Sequence, residues 1–118
     1  MKAVDRKYFA PENPYDNYPV GIGLNIPISA PYIVTYSLPK HAHALEIFES
    51  RLRNPQCRAL DVGSGSGYMT LCMAVINGFK NTVIGIEHFG RIINQSINNI
   101  SNAGYSPLLE SGKIKFIS

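Results

Sequence analysis

The chain has 118 residues, a formal net charge of +3, 45% hydrophobic and 16% charged residues, which fits one globular domain and excludes a disordered chain. Its basic residues are scattered singly, with no Lys/Arg run interleaved with stacking aromatics, which argues against nucleic acid as a partner. No apolar stretch reaches the length of a membrane span, and Met1 to Lys7 lead into no apolar signal core, so no membrane partner is expected and the chain reads as cytoplasmic.

The organisation changes near residue 40. Residues 1–39 hold six of the eight prolines and most of the tyrosines, too many prolines for regular structure, and read as a loop-rich leader. From Lys40 onward Ala42, Leu45, Phe48 and Leu52 recur at helical spacing until Asn54-Pro55 stops the helix. A short strand is predicted at about 58–62, and a second helix at about 67–77 is closed by Gly78 in a left-handed cap position. A strand at 82–87 completes a βαβ unit. Ile92, Ile93, Ile97 and Ile100 mark the buried stripe of a third helix ending at Gly104, and Lys113-Ile114-Lys115-Phe116-Ile117 alternates as a strand at the sheet edge. Cys57 and Cys72 open the first strand and sit inside the second helix; without C-x-x-C spacing they read as buried thiols, and no metal site is expected.

The chemistry concentrates in Asp61-Val62-Gly63-Ser64-Gly65-Ser66-Gly67, where a strand runs into three glycines at alternate positions. Such glycines let the backbone turn sharply and approach a ligand at the mouth of a helix. A dinucleotide fingerprint is G-x-G-x-x-G with a pyrophosphate at the helix N-terminus; here the third glycine comes one residue early. Asp61 at the strand end would repel a pyrophosphate and favour a cation, and S-adenosyl-L-methionine carries a sulfonium and an ammonium. Glu87 ends the next strand 24 residues after Gly63, near the offset at which an acid accepts hydrogen bonds from ribose hydroxyls. Together they favour S-adenosyl-L-methionine over NAD.

The fold class expected is therefore α/β: a Rossmann-like, S-adenosyl-L-methionine-binding sheet represented by its N-terminal half, with residues 1–39 as leader and 40–118 as a partial cofactor-binding domain. The strands that a doubly wound sheet places beyond its first strand are not encoded, so the far edge of that strand is expected to be unpaired.

The leader carries a resemblance. Val4-Asp5-Arg6-Lys7-Tyr8-Phe9-Ala10, Asn13-Pro14-Tyr15, Ile22-Gly23 and above all Ile28-Ser29-Ala30-Pro31, placed ahead of the glycine loop and of Val83-Ile84-Gly85-Ile86-Glu87-His88, resemble the protein-L-isoaspartate O-methyltransferases. The resemblance implies methylation of the α-carboxylate of L-isoaspartyl and D-aspartyl residues in damaged proteins, the ester then closing to a succinimide that reopens partly as normal aspartate. It implies isoaspartyl-containing peptides and proteins as partners and S-adenosyl-L-methionine as cofactor. It further implies Ser29 as the active-site residue holding the carboxylate, with Ile26, Pro27, Ile28, Ser29, His41, Asp61, Gly63, Gly65, Gly67 and Glu87 as cofactor contacts, the glycines through backbone atoms. Ser29 before Ala30-Pro31 also suits a helix N-cap, and both roles can hold.

The chain departs from the family's pattern: residues 32–38 look like an additional segment before the helix that carries His41, Pro27 stands where a threonine is usual, and the helices that normally precede the Val4-Asp5-Arg6 block and the part that normally follows the third strand are missing. A truncated enzyme with little activity alone is therefore expected, monomeric when complete and aggregation-prone as a fragment. The alternatives are a non-catalytic S-adenosyl-L-methionine- or partner-binding module, and a nicotinamide-dependent oxidoreductase, which the glycine spacing and Asp61 disfavour.

Overall fold

The computed structural model describes residues 3–30 and 41–118. The additional segment 32–38 lies outside the described residues, as does any helix that Ser29 would cap.

A three-stranded parallel sheet organises the chain, with β3 (Ala59–Val62), β4 (Val83–Ile86) and β5 (Ile114–Ile117) in the order β3-β4-β5. The predicted α/β, Rossmann-like βαβαβ order is borne out, and β5 is an edge strand as expected. The register aligns Asp61, Gly85 and Phe116 across the sheet. Gly85 has a steric reason to be glycine, because a Cβ there would lie 2.7 Å from the Phe116 ring. The aromatic ring thus lies across the middle strand, an arrangement that only a residue without a side chain permits.

Helix α1 (His41–Leu52) turns Leu45 and Leu52 into the core and leaves Phe48 exposed, so the apolar spacing read from the sequence is only partly a buried stripe. Helix α2 (Tyr68–Ile76) is the most buried, with Thr70, Leu71 and Ala74 fully enclosed, and Gly78 after it adopts φ +65° in the left-handed cap anticipated. Helix α3 (Gly90–Asn102) buries Ile92, Ser96 and Ile100, spaced four residues apart on one face. Ile97, expected in that stripe, is instead exposed, and the buried position beside it belongs to Ser96 because that face meets the glycine loop. Helix α4 (Ser106–Glu110), with a proline in its first turn, was not anticipated from the sequence.

The leader is more ordered than its prolines suggest. A 3-10 turn (Arg6–Tyr8) is capped by the Asp5 side chain, and β1 (Val20–Gly21) pairs antiparallel with β2 (Pro27–Ile28). This hairpin corrects the expectation of a leader without regular structure: its strands are two residues each, and one proline at an edge costs little. Leu24 and Asn25 at the tip have φ of 51° and 58°, the left-handed pair that a tight hairpin requires. Val4, Phe9, Ala10, Val20, Ile22 and Ile28 of the leader join Tyr68, Leu71 and Cys72 in one apolar core, with Phe9 edge-on to Tyr68 at 5.4 Å.

On the other side of the sheet β3 has no partner strand among the described residues, and Leu60 and Val62 are 55% and 74% exposed there. No described helix is long and apolar enough to cross a membrane.

Candidate functional site

Ligands of open α/β sheets bind outside the carboxyl ends of the strands, and the glycine loop leaves β3 at that end. Gly63, Gly65 and Gly67 have φ of +76°, +52° and +83°, three left-handed residues at alternate positions. That is the physical reason for the G-x-G-x-G spacing, since side-chain-bearing residues in this conformation are strained.

Polar groups from three elements fix the loop. The Gly63 and Ser64 amides both donate to the Ile86 carbonyl, at 2.9 and 3.0 Å. The Gly65 amide donates to Glu87 Oε2 at 3.1 Å, and the Phe89 amide to Glu87 Oε1 at 3.3 Å. From α3, the Ser96 hydroxyl reaches the Gly65 and Ile92 carbonyls and Asn99 Nδ2 donates to the Ser66 carbonyl at 3.1 Å.

A cleft of about 210 Å³ lies between this loop and the leader. Pro27, Ile28 and Ser29 form one wall; Asp61 and Val62, residues 63–66, and then Tyr68 and Met69 form the other. Asp61 Oδ2 accepts a hydrogen bond from Thr70 Oγ1 at 2.6 Å. Burial pushes the Asp61 carboxyl above the usual aspartate range, the Thr70 hydrogen bonds oppose this, and the charge of Glu87 adds to it. A partly buried carboxylate with a raised pKa gains most from a cationic ligand, whose charge would hold it ionised.

The structure thus brings Pro27, Ile28, Ser29, Asp61, Gly63 and Gly65 together around one cleft. Three other residues anticipated for the site, Ile26, Gly67 and Glu87, do not line it. Ile26 packs against the core, with its carbonyl taken by the Ile22 amide at 2.8 Å. Gly67 faces Ser96, Phe116 and Ile100. Glu87 is buried and holds two backbone amides, and His41 opens α1, its side chain outside what is described. Thr70, Ser96, Asn99 and Arg6 support the site without having been singled out in the sequence. Only Thr70, in the first turn of the helix that follows the loop, left a usable signal: it sits nine residues after Asp61, where a hydroxyl can reach back to the strand end.

Residues 1–117 match the family described as protein-L-isoaspartate(D-aspartate) O-methyltransferase (PCMT). The chain belongs to that family. A protein-L-isoaspartate O-methyltransferase from Caenorhabditis elegans is 44% identical over 117 residues, covering 99% of this chain and 48% of its own length. Protein-L-isoaspartate O-methyltransferase 1 from Arabidopsis thaliana is 40% identical over 116 residues, covering 97% of this chain and 47% of its own. Among solved structures, a protein-L-isoaspartate O-methyltransferase from Plasmodium falciparum, in complex with S-adenosyl-L-homocysteine, superposes with a TM-score of 0.84 at 37% identity, over 99% of this chain and 51% of that one. The chain spans about half the length of the curated relatives it matches. The isoaspartyl methyltransferase family resemblance read from the leader and loop is therefore borne out across the whole sequence.

Proposed function

We propose that this chain carries the cofactor cleft and the Ser29 wall of an S-adenosyl-L-methionine-dependent methyltransferase. Its substrates are the α-carboxylates of L-isoaspartyl and D-aspartyl residues in damaged proteins, where methylation initiates repair. The observation that carries the reading is the convergence of Ser29 and Asp61 on one cleft from parts of the chain 32 residues apart, in a chain whose family and similar solved structure point to the same chemistry.

The cofactor supplies an electrophilic methyl group on a sulfonium. In transfer, one carboxylate oxygen of the substrate forms a bond to that methyl as the carbon–sulfur bond breaks, leaving a methyl ester and the neutral thioether. No proton moves, because the substrate carboxylate is ionised at neutral pH. The residues therefore need to bind, align and exclude water, and alignment alone can supply about 7–11 kcal/mol at best.

In this reading the Ser29 hydroxyl donates a hydrogen bond to the incoming carboxylate, and Asp61 faces the cofactor's ammonium. Gly63 and Gly65 let the backbone approach. Pro27 and Ile28 shape the leader-side wall, Ile26 supports it from the core, Gly67 sets the start of α2, His41 contacts the cofactor from α1, and Glu87 accepts ribose hydroxyls beyond the lone pairs it gives to Gly65 and Phe89. Residues 1–39 supply the substrate side and 40–118 the cofactor side.

The exposed Leu60 and Val62 edge of β3 supports a second element of the proposal: the 118-residue chain by itself has little activity and self-associates. The same edge favours one alternative, a non-catalytic module that binds the cofactor or a partner chain. Calorimetric titration with S-adenosyl-L-methionine, with NAD as control, tests the cofactor; transfer of a labelled methyl to an isoaspartyl peptide tests the reaction. Binding with at most slow transfer is expected. NAD binding in place of S-adenosyl-L-methionine would overturn the reading, and turnover at the rate of a full-length relative would overturn the expectation of low activity.

A further inference from the structure

Arg6 is 4% exposed yet carries a charge. Its Nη2 donates to the Ser29 carbonyl at 2.8 Å, and its guanidinium lies 5.6 Å from the centre of the Tyr68 ring. Among the described residues Nε and Nη1 have no hydrogen-bond partner. Burying a guanidinium without a carboxylate to receive it is costly, and an apolar side chain would fill the same space without that cost. Its two contacts are informative: Ser29 and Tyr68 stand on opposite walls of the cleft, one following β2 and the other opening α2. A single planar cation thus ties the two walls together and leaves positive charge one hydrogen bond behind the Ser29 peptide.

We propose that Arg6 is a positioning residue for the substrate carboxylate, an inference that rests on the methyltransferase reading. It holds the Ser29 backbone at a set distance from the α2 wall, and its unneutralised charge makes the space in front of Ser29 favourable for an anion. The pairing is specific to arginine. A lysine retains the charge and not the fork; a methionine retains the volume and neither of the others.

The 118-residue chain and its Arg6→Met and Arg6→Lys variants are compared in three measurements. Hydrogen exchange reads the amides of residues 28–30 against those of β4 as an internal reference. Calorimetry reads S-adenosyl-L-homocysteine affinity, and then, on the loaded chain, affinity for an isoaspartyl peptide against the same peptide with its α-carboxylate amidated. Arg6→Met is expected to exchange about tenfold faster at 28–30 with β4 unchanged, since a buried charge-assisted hydrogen bond has been lost. It is also expected to lose about tenfold of its preference for carboxylate over amide with little change in S-adenosyl-L-homocysteine affinity. Arg6→Lys should recover part of that preference and little of the protection. If Arg6→Met does not fold, Arg6→Lys carries the exchange comparison. Unchanged exchange at 28–30 in whichever variants fold overturns the proposal. So does a carboxylate preference that survives Arg6→Met. A wild-type chain that binds neither ligand would instead overturn the methyltransferase reading, and with it the substrate role of Arg6, while the exchange data still decide whether Arg6 braces Ser29.

Discussion

Gly67→Ala separates a packing role from a ligand role for the third glycine of the loop. Gly67 has φ +83°, and a Cβ there would lie 3.1 Å from Ser96 Cβ, 3.2 Å from Phe116 Cζ and 3.5 Å from Ile100 Cδ1. Placing alanine in the left-handed region costs about 1–2 kcal/mol, and crowding the buried Ser96 and the partly buried Phe116 adds about 1–2 kcal/mol. The expected loss is about 2–4 kcal/mol, which lowers Tm by about 8–15 °C in a domain of this size. Gly65→Ala is the control: its φ is +52°, but its nearest neighbours, Ile22 Cδ1 at 3.6 Å and the Gly63 carbonyl oxygen at 3.8 Å, are at ordinary contact distance. Only the conformational term applies, about 1–2 kcal/mol. Thermal melts and denaturant titrations with matched slopes rank the two variants. Cofactor affinity, measured well below both melting points, should rank them in the opposite order, because Gly65 lines the cleft and Gly67 does not. Equal melting temperatures, or a larger affinity loss in Gly67→Ala, would refute the assignment of Gly67 to packing.

Burial raises the Asp61 pKa, so between the ordinary aspartate value and the raised native one the folded chain holds more protons than the unfolded chain; stability falls as pH rises through that window and stays lower above it. Asp61→Asn keeps an acceptor for Thr70 and removes that loss, so at neutral pH it should melt at or above the wild type while binding a cationic ligand about tenfold or more weakly; melting curves from mild acid to neutrality, with calorimetry, check both. Glu87→Gln should lose stability and affinity together, by about 1–3 kcal/mol in denaturant titration, because its amide can accept only one of the Gly65 and Phe89 N–H groups and sets a donor against the other. Lysine at both Leu60 and Val62 should change stability by no more than about 0.5 kcal/mol per site and shift the chain toward monomer in sedimentation, since both side chains are exposed on the unpaired edge.

The elements from 41 onward, α4 apart, were legible because each is short, bounded by Gly or Pro, and carries its own period. The strand at 82–87 and the helix closed by Gly78 fall within a residue of their observed ends. The leader was less legible for the same reason in reverse. Its hairpin pairs two residues with two others, too few to show alternation, and its turn is made by Leu24 and Asn25 rather than by a glycine pair. Ile97 was misassigned because a stripe of isoleucines hides a serine; Ser96 is buried only because the loop carbonyls come to it from another part of the chain. Arg6 gave no local signal at all, since what defines it is a carbonyl 23 residues away.

The two strand-end acids look equivalent in sequence and are not equivalent in the fold. Asp61 lies near the end of a strand with one partner among the described residues and lines the cleft, and a hydroxyl from α2 orients it. Glu87 ends the central strand, flanked on both sides, and both its oxygens are committed to backbone amides of the loop and of the turn before α3. The difference lies in what claims each carboxylate: Asp61 is held by Thr70 and faces the cleft, whereas Glu87 must satisfy the amides that converge on it before it has lone pairs to offer. The same loop amide that Glu87 holds belongs to Gly65, whose backbone lines the cleft, so any ligand drawing on Glu87 also loads the contact that shapes its own binding wall. Rigidity of the glycine loop and the charge state of Asp61 are therefore linked through one carboxylate, since Glu87 holds the Gly65 amide and its charge also pushes the Asp61 pKa up.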